Sequence, residues 1–453
     1  MNMINVRRLA AMTFLGAGML SDISAQDFSL QADTLNEARL PAQWDLQSCI
    51  DYALEQNITI RKNRVTAEST QIDVKTAKAA LFPSLSFSTS QQVVNRPYQE
   101  TSSRVSGSEI ISSNSKTSYN GNYGLNASWT IYNGSKRLKT LKQERLNNQV
   151  AELDVATSEN TIKESIAQIY IQILYAAESV RVNENTLQVS IAQRDRGQEL
   201  LNAGSIAKSD FAQLEAQVST DRYQLVTAQA TLQDYKLQLK QLLELDGENE
   251  MNVYLPKLSD ENVLAPLPAK KDVYVSALAI RPEIEASKLN VEASELGIDI
   301  AKSSYFPTIS LSAGIGTNHT SGSDFTFGEQ VKNGWNNSIG LSVSVPIFNN
   351  RQTKSAVQKA KLQRETDMLS LLDEQKALYK TIESLWLDAN SAQQRYAAAN
   401  EKLRSTQISY DLISEQFNLG MKNTVELLTE KNNLLQAQQE QLQAKYMAIL
   451  NTQ

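Results

Sequence analysis

The chain has 453 residues and a formal net charge of −6. That mild, dispersed acidity offers no basic patch for nucleic acid. One cysteine, Cys49, and one histidine, His319, exclude an intrachain disulfide, a Cys-rich metal centre and most hydrolase triads and zinc sites.

The first 25 residues read as a secretory leader. Arg7 and Arg8 precede an apolar stretch from Leu9 to Leu20, and Ser24-Ala25 ends a cleavage site that leaves Gln26 first. That stretch is too short to span a bilayer, and no later stretch approaches the roughly 20 apolar residues of a membrane helix. Cys49 reads as a small buried apolar residue.

Two halves then repeat one another. Leu81-Phe82-Pro83-Ser84-Leu85-Ser86 corresponds to Tyr305-Phe306-Pro307-Thr308-Ile309-Ser310, at an offset of 224. Ala53-Leu54 and Ala277-Leu278 share it. Ile131-Tyr132-Asn133 corresponds to Ile347-Phe348-Asn349 at an offset of 216, as does Gly204 to Gly420. The shift of eight falls between residues 82 and 124, where the first half carries a longer loop. Each half is predicted to run helix, strand, loop, strand, very long helix, glycine turn, helix. The repeats are assigned to 26–250 and 271–453. The segment between them, 251–270, is a linker containing Pro256, Pro266 and Pro268.

The strands alternate. Tyr123, Leu125, Ala127, Trp129 and Ile131 interleave with small polar residues. So do Ile309, Leu311, Ala313 and Ile315, then Ile339, Leu341, Val343 and Val345, and more weakly Leu85 and Phe87. Period two gives one apolar and one polar face. The small polar face suits a water-filled lumen, and the apolar face suits lipid. Trp129, Tyr132 and Phe348 near strand ends suit an interfacial girdle. The loops from about Val94 to Thr117 and from about Asn318 to Trp335 are polar and read as exposed; His319 in the second is expected to be solvated.

Neither glycine nor proline occurs from Ser135 to Arg196 or from Arg351 to Leu419. Each run can make a helix on the order of 100 Å, which needs a partner along most of its length. After Gly204 the heptad set Phe211, Val218, Leu225, Leu232, Leu239 and Leu214, Asp221, Ala228, Tyr235, Leu242 has one polar member, Asp221. Leu428, Leu435, Leu442 and Ile449 repeat every seven in the second half. Charged residues and glutamines are expected on the other faces.

Four strands cannot close a barrel, and open edges are forbidden in lipid. The chain must therefore oligomerise. Three copies give twelve strands and a wet lumen; two copies would close an eight-stranded barrel with a filled interior.

Together these residues resemble the TolC-like outer membrane efflux family. Ala277 to Gly314 carries Arg281-Pro282-Glu283, Ala301-Lys302 and Phe306-Pro307, followed by Pro346-Ile347-Phe348-Asn349 ahead of a long helix. The first half matches with Ile131-Tyr132-Asn133-Gly134. The resemblance runs from about Trp44 to the C-terminus. It implies a mainly α, internally duplicated fold and a homotrimer. A 12-stranded barrel in outer-membrane lipid would continue as a 12-helix periplasmic tunnel with an equatorial belt. A periplasmic adaptor (membrane fusion protein) and an inner-membrane pump would dock at the helical tips. No cofactor, catalysis or nucleic acid is implied.

The resemblance also implies a constriction just after each glycine turn. Asp210 and Glu426, each six residues past Gly204 or Gly420, would form acidic rings. Asn423-x-x-Glu426 also reads as a helix capping box. Lys422 and Phe417 match residues that hold the tip closed in some relatives, and Thr429 stands where some carry a second pore acid. Gly204 and Gly420 are expected to be left-handed helix ends. The rival reading is a trimeric coiled-coil, adhesin-like stalk, which needs neither internal strand pairs nor duplication. No phosphate loop or nucleophile–base set suggests an enzyme.

Overall fold

The computed structural model describes residues 41–98, 102–106, 109–113, 116–246, 251–256, 263–321, 323 and 325–452. The expected leader lies outside them. The first half begins with α1 (Leu46–Gln56), α2 (Ile58–Ala79) and β1 (Ser84–Asn95). A hairpin of β2 (Ser102–Ser106) and β3 (Glu109–Ser113) precedes β4 (Thr117–Asn133), α3 (Lys136–Asn202) and α4 (Lys208–Leu242). The second half holds α5 (Lys270–Ile280), α6 (Pro282–Ser303), β5 (Thr308–Thr320), α7 (Phe327–Asn333), β6 (Asn336–Ser344), α8 (Gln352–Asn418) and α9 (Thr424–Thr452).

Three pairs of corresponding helices have equal lengths at the two offsets. α1 and α5 have 11 residues each, α2 and α6 have 22, and α3 and α8 have 67. Even the entry to the long helices recurs. Gly134-Ser135 and Asn350-Arg351, 216 residues apart, are consecutive left-handed pairs with φ of 67°, 64°, 50° and 68°. Such a pair turns a strand abruptly into a helix. Only the first half places glycine there to avoid the steric cost.

β1, β4, β5 and β6 form one antiparallel sheet in that order. Register puts like against like. Phe87 faces Leu125, which faces Ile315; Leu85 faces Ala127, which faces Ala313, which faces Ile339. On the other face Ser88, Gly124 and Gly316 align, as do Ser86, Asn126, Gly314 and Ser338. The apolar face is bare: Ile339 is 84% exposed, Leu85 70% and Phe87 67%. Bare apolar area of this kind marks a surface covered by lipid or protein. A bulge between Thr130 and Tyr132 leaves Ile131 without an opposite residue, so the alternation expected through Ile131 breaks one residue early. Two further corrections fall in the loops. The first contains the β2–β3 hairpin. The second contains α7, which begins with a capping box between Thr326 and Glu329. His319 is half-buried between Tyr119 and Phe327, with ring centroids at 5.7 and 5.0 Å, rather than solvated.

The helices continue the sheet in the same sequence: α2 packs on α3, α3 on α6, and α6 on α8. α4 and α9 fold back along α3 and α8, and α9 also lies against α3. No helix among the described residues is long and apolar enough to cross a membrane.

The main core sits at mid-height of α3. Cys49 and Ala53 of α1, Ile166, Tyr170 and Ile173 of α3, and Leu239 of α4 close around Trp44. The linker is stitched in here. Trp44 donates its N–H to Asn252 O (2.8 Å) and accepts from Tyr254 N (2.8 Å), and the Tyr170 hydroxyl donates to Tyr254 O (2.6 Å). A second cluster gathers Ile171, Val263, Ala392, Tyr396, Ala448 and Ile449. Linker and C-terminal helix thus meet at the middle of the helical wall, where the resemblance puts the belt.

Candidate functional site: the helical tips

Both hairpins turn in the same way. Gly204 and Gly420 have φ of 72° and 75°. Ser205 N donates to Leu200 O and Met421 N to Gln416 O, both at 2.8 Å, while each glycine N–H reaches the carbonyl three residues back. This is the left-handed helix end expected of both glycines, and it satisfies carbonyls that a helix terminus otherwise leaves open.

Beyond the turns the two tips differ. Glu426 stands in the first turn of α9, half-exposed. Its N–H donates to Asn423 Oδ1 (2.9 Å) and its carboxylate accepts from Asn423 N (3.2 Å), which completes the capping box. The same carboxylate pairs with Lys422 Nζ at 2.5 Å. The bond from Lys422, and after it the Asn423 N–H, hold its pKa below the usual carboxylate range. Asp210 also stands in a first helical turn. The cap position before its helix is Ala207, which provides no side-chain bond, and Asp210 forms no ion pair among the described residues. The structure brings Lys422 and Glu426 together and leaves Asp210 apart from them.

Phe417 is buried at 3% exposure within its own chain. Apolar residues instead stand out around the second turn: Leu419 and Met421 are each 69% exposed and Val425 56%. Sequence reasoning passed over these, although three apolar residues flanking a glycine turn are visible in Leu419-Gly420-Met421 and Val425. It also missed a second pairing above the tip. Lys431 of α9, on a helix whose charges were expected to face outward, is buried at 3% exposure against Asp221 at 1%. Asp221 as the one polar member of its heptad was the available signal. Among the described residues no three of His, Cys, Asp and Glu converge as a metal site would require.

The model of the outer membrane efflux protein family matches residues 49–244 and 273–451. The outer membrane efflux protein BepC of Brucella suis is 26% identical over 64% of this chain and 61% of its own length. The outer membrane protein TolC of Escherichia coli is 24% identical over 72% of this chain and 66% of its own. The chain therefore spans a little under two thirds of these relatives' lengths. The solved structure of CusC superposes with a TM-score of 0.76 at 19% identity over 90% of each chain. That of VceC from Vibrio cholerae gives 0.74 at 16% identity over 90% of this chain and 94% of the other. With most of its length matched by the family model and its fold shared with these channels, the protein belongs to the outer membrane efflux protein family and is a protein of the outer membrane.

Proposed function

We propose that the protein is the outer-membrane duct of a tripartite export system, a passive exit for substrates delivered by an inner-membrane pump through a periplasmic adaptor. The observation that carries this reading is the shared order of strands and helices. One four-stranded sheet with a bare apolar face continues into four helices in the same sequence. Both layers end in open edges, β1 and β6 above, α2 and α8 below. The edge helices carry exposed apolar stripes: Ile58, Val65 and Ile72 on α2, Leu362 and Leu369 on α8, each seven residues apart and 58–65% exposed. Such stripes fit a second copy of the chain. Three copies close twelve strands and twelve helix positions around one lumen. A stalk-like adhesin has no use for a strand pair inside each half that joins one lipid-facing sheet.

In this reading residues 1–25 are a cleaved leader, 26–250 and 271–453 the two repeats, and 251–270 the equatorial linker. Glu426 and Asp210 line the constriction as rings of like charge that favour cations. Lys422 and Phe417 hold the tip closed. The exposed Leu419, Met421 and Val425 offer the adaptor an apolar landing. Pump and adaptor choose the cargo.

The test is single-channel recording in planar bilayers from detergent-purified protein, comparing wild type with Glu426→Ala and Asp210→Ala. Stable conducting steps with weakened cation preference in the variants are expected. Unchanged selectivity in both variants overturns the site. Protein that stays soluble without detergent overturns the barrel.

A further inference from the structure

Among the described residues only two charged side chains are more than nine-tenths buried, Asp221 and Lys431, and they pair with each other. Ser190, 2% exposed, bonds to both. The three residues come from three helices: α3, α4 and α9. They therefore join the first hairpin to the second. Two lesser polar links lie at the same junction, Gln217 to Asn432 at 3.2 Å and Gln193 to the Tyr410 hydroxyl at 2.9 Å. Gln217 also donates to Asp221 Oδ1 at 2.8 Å.

Elsewhere the junction is apolar. One turn from the cluster along each helix stand buried Leu187, Val218, Leu427 and Leu434. An apolar seam slides and loosens by degrees. A buried ion pair does not: it adds little stability compared with apolar packing, but losing one partner strands the other charge at a cost of several kcal/mol. The cluster therefore makes one level of the seam all-or-none. Burial disfavours the Lys431 ammonium, and the hydrogen bond and charge of Asp221 oppose that, so the ammonium depends on its partner.

The level is telling. Lys431 is the eighth residue of α9 and stands five residues past Glu426. We propose that Ser190, Asp221 and Lys431 form a clasp that seats α9 on the first hairpin just above the tip and so positions Glu426, and that its release is the step by which the second hairpin swings outward. Lys431 and Asp221 are thus positioning residues that touch no substrate. The proposal rests on the reading of the tips as the channel entrance.

A double-mutant cycle in planar bilayers tests it, with Lys422→Ala as a tip-loosened reference. Lys431→Met and Asp221→Leu singly leave one buried group without its partner, and each should raise the open-to-closed ratio by roughly 100- to 1,000-fold, in line with the cost of splitting a buried pair. The double variant fills the site with apolar groups and should return to the wild-type ratio, which general destabilisation would not do. Should the single variants fail to assemble, cysteines at Gln217 and Asn432 joined by a short reversible bifunctional thiol reagent decide the matter. The link should block opening of the Lys422→Ala channel, and reduction should restore it. Single variants that gate as wild type does, or a cross-linked Lys422→Ala channel that opens freely, overturn the clasp alone. Inserted trimers that conduct in neither Lys422→Ala nor Lys431→Met overturn the channel reading and the clasp with it.

Discussion

Gly134 sits where β4 becomes α3, with φ of 67°. A Cβ added there meets Ser303 O at 2.7 Å and Phe306 Cβ at 3.0 Å. Ser303 is itself tied to the spot, its hydroxyl donating to Gly134 O at 2.9 Å. The first half thus touches the second at the level where the sheet passes into the long helices. Gly134→Ala carries two penalties. The left-handed backbone costs about 1–2 kcal/mol for a residue with Cβ. Crowding against backbone, which cannot rotate aside, adds about 1–3 kcal/mol. Gly420→Ala is the control: its φ is 75° but nothing lies within 4 Å of the added atom, so only the first penalty applies. Both gain the same few tenths to 1 kcal/mol from a stiffer unfolded chain. The difference of about 1–3 kcal/mol survives. Heat unfolding of a membrane protein of this size is irreversible, so the assay is the rate of loss of helical circular dichroism at one fixed temperature. Gly134→Ala should unfold roughly five- to 150-fold faster than Gly420→Ala. Equal rates would mean that the strand-to-helix junction has room the structure denies, and the steric argument would fail.

Burial, and secondarily the charge of Asp45, push the Cys49 thiol up to about 12. Folded protein should resist iodoacetamide at pH 9 while unfolded protein reacts. The stability owed to the neutral thiol should be complete below about pH 9 and vanish toward pH 12, as a proton-release titration of unfolding would record. Val65→Glu puts a charge into the exposed apolar stripe of α2 and should leave monomers in native mass spectrometry while Thr66→Glu, beside it, does not. The lowered pKa of Glu426 means that its bonds to Lys422 and Asn423 are intact above the ordinary carboxylate value and are lost as pH falls through its lowered one. Conductance of the wild-type channel should therefore rise at acid pH, and that rise should be absent in Glu426→Gln.

Much of this architecture was legible because it is written in periods. Two offsets, 224 and 216, forecast pairs of helices that match in length residue for residue. Alternation located all four sheet strands, since one-sided burial demands period two. What periodicity cannot see is a local exception. The bulge that displaces Ile131 leaves the pattern of residue types intact. The β2–β3 hairpin is built from Ser102–Ser106 and Glu109–Ser113, where serine hides the strand signal behind loop composition. Lys431 is the sharpest case. A lysine on a helix is normally solvated, and the reason this one is not lies 210 residues earlier, in Asp221. At the tips, spacing alone placed Glu426 in a capping box. The ion pair with Lys422 was less open to inspection, because Lys422 lies before the helix and no helical spacing sets it against Glu426.

The duplication built two tips and then differentiated them. Both kept the glycine turn and an acid six residues on, so the backbone carries either acid to the same place. Fastening differs. At the second tip Asn423 caps the helix, Lys422 holds the carboxylate, and Lys431 anchors the following turns to the first hairpin. At the first tip the cap position is Ala207 and the acid has no ionic partner among the described residues. A carboxylate held by two donors at rest must lose them before it is free to face a lumen, whereas Asp210 is free from the outset. In the proposed duct Glu426 is therefore suited to report the state of the tip, and Asp210 only to contribute charge. The same asymmetry explains why the clasp lies on α9 and not on α4: the hairpin whose tip is fastened is the one whose movement has to be governed.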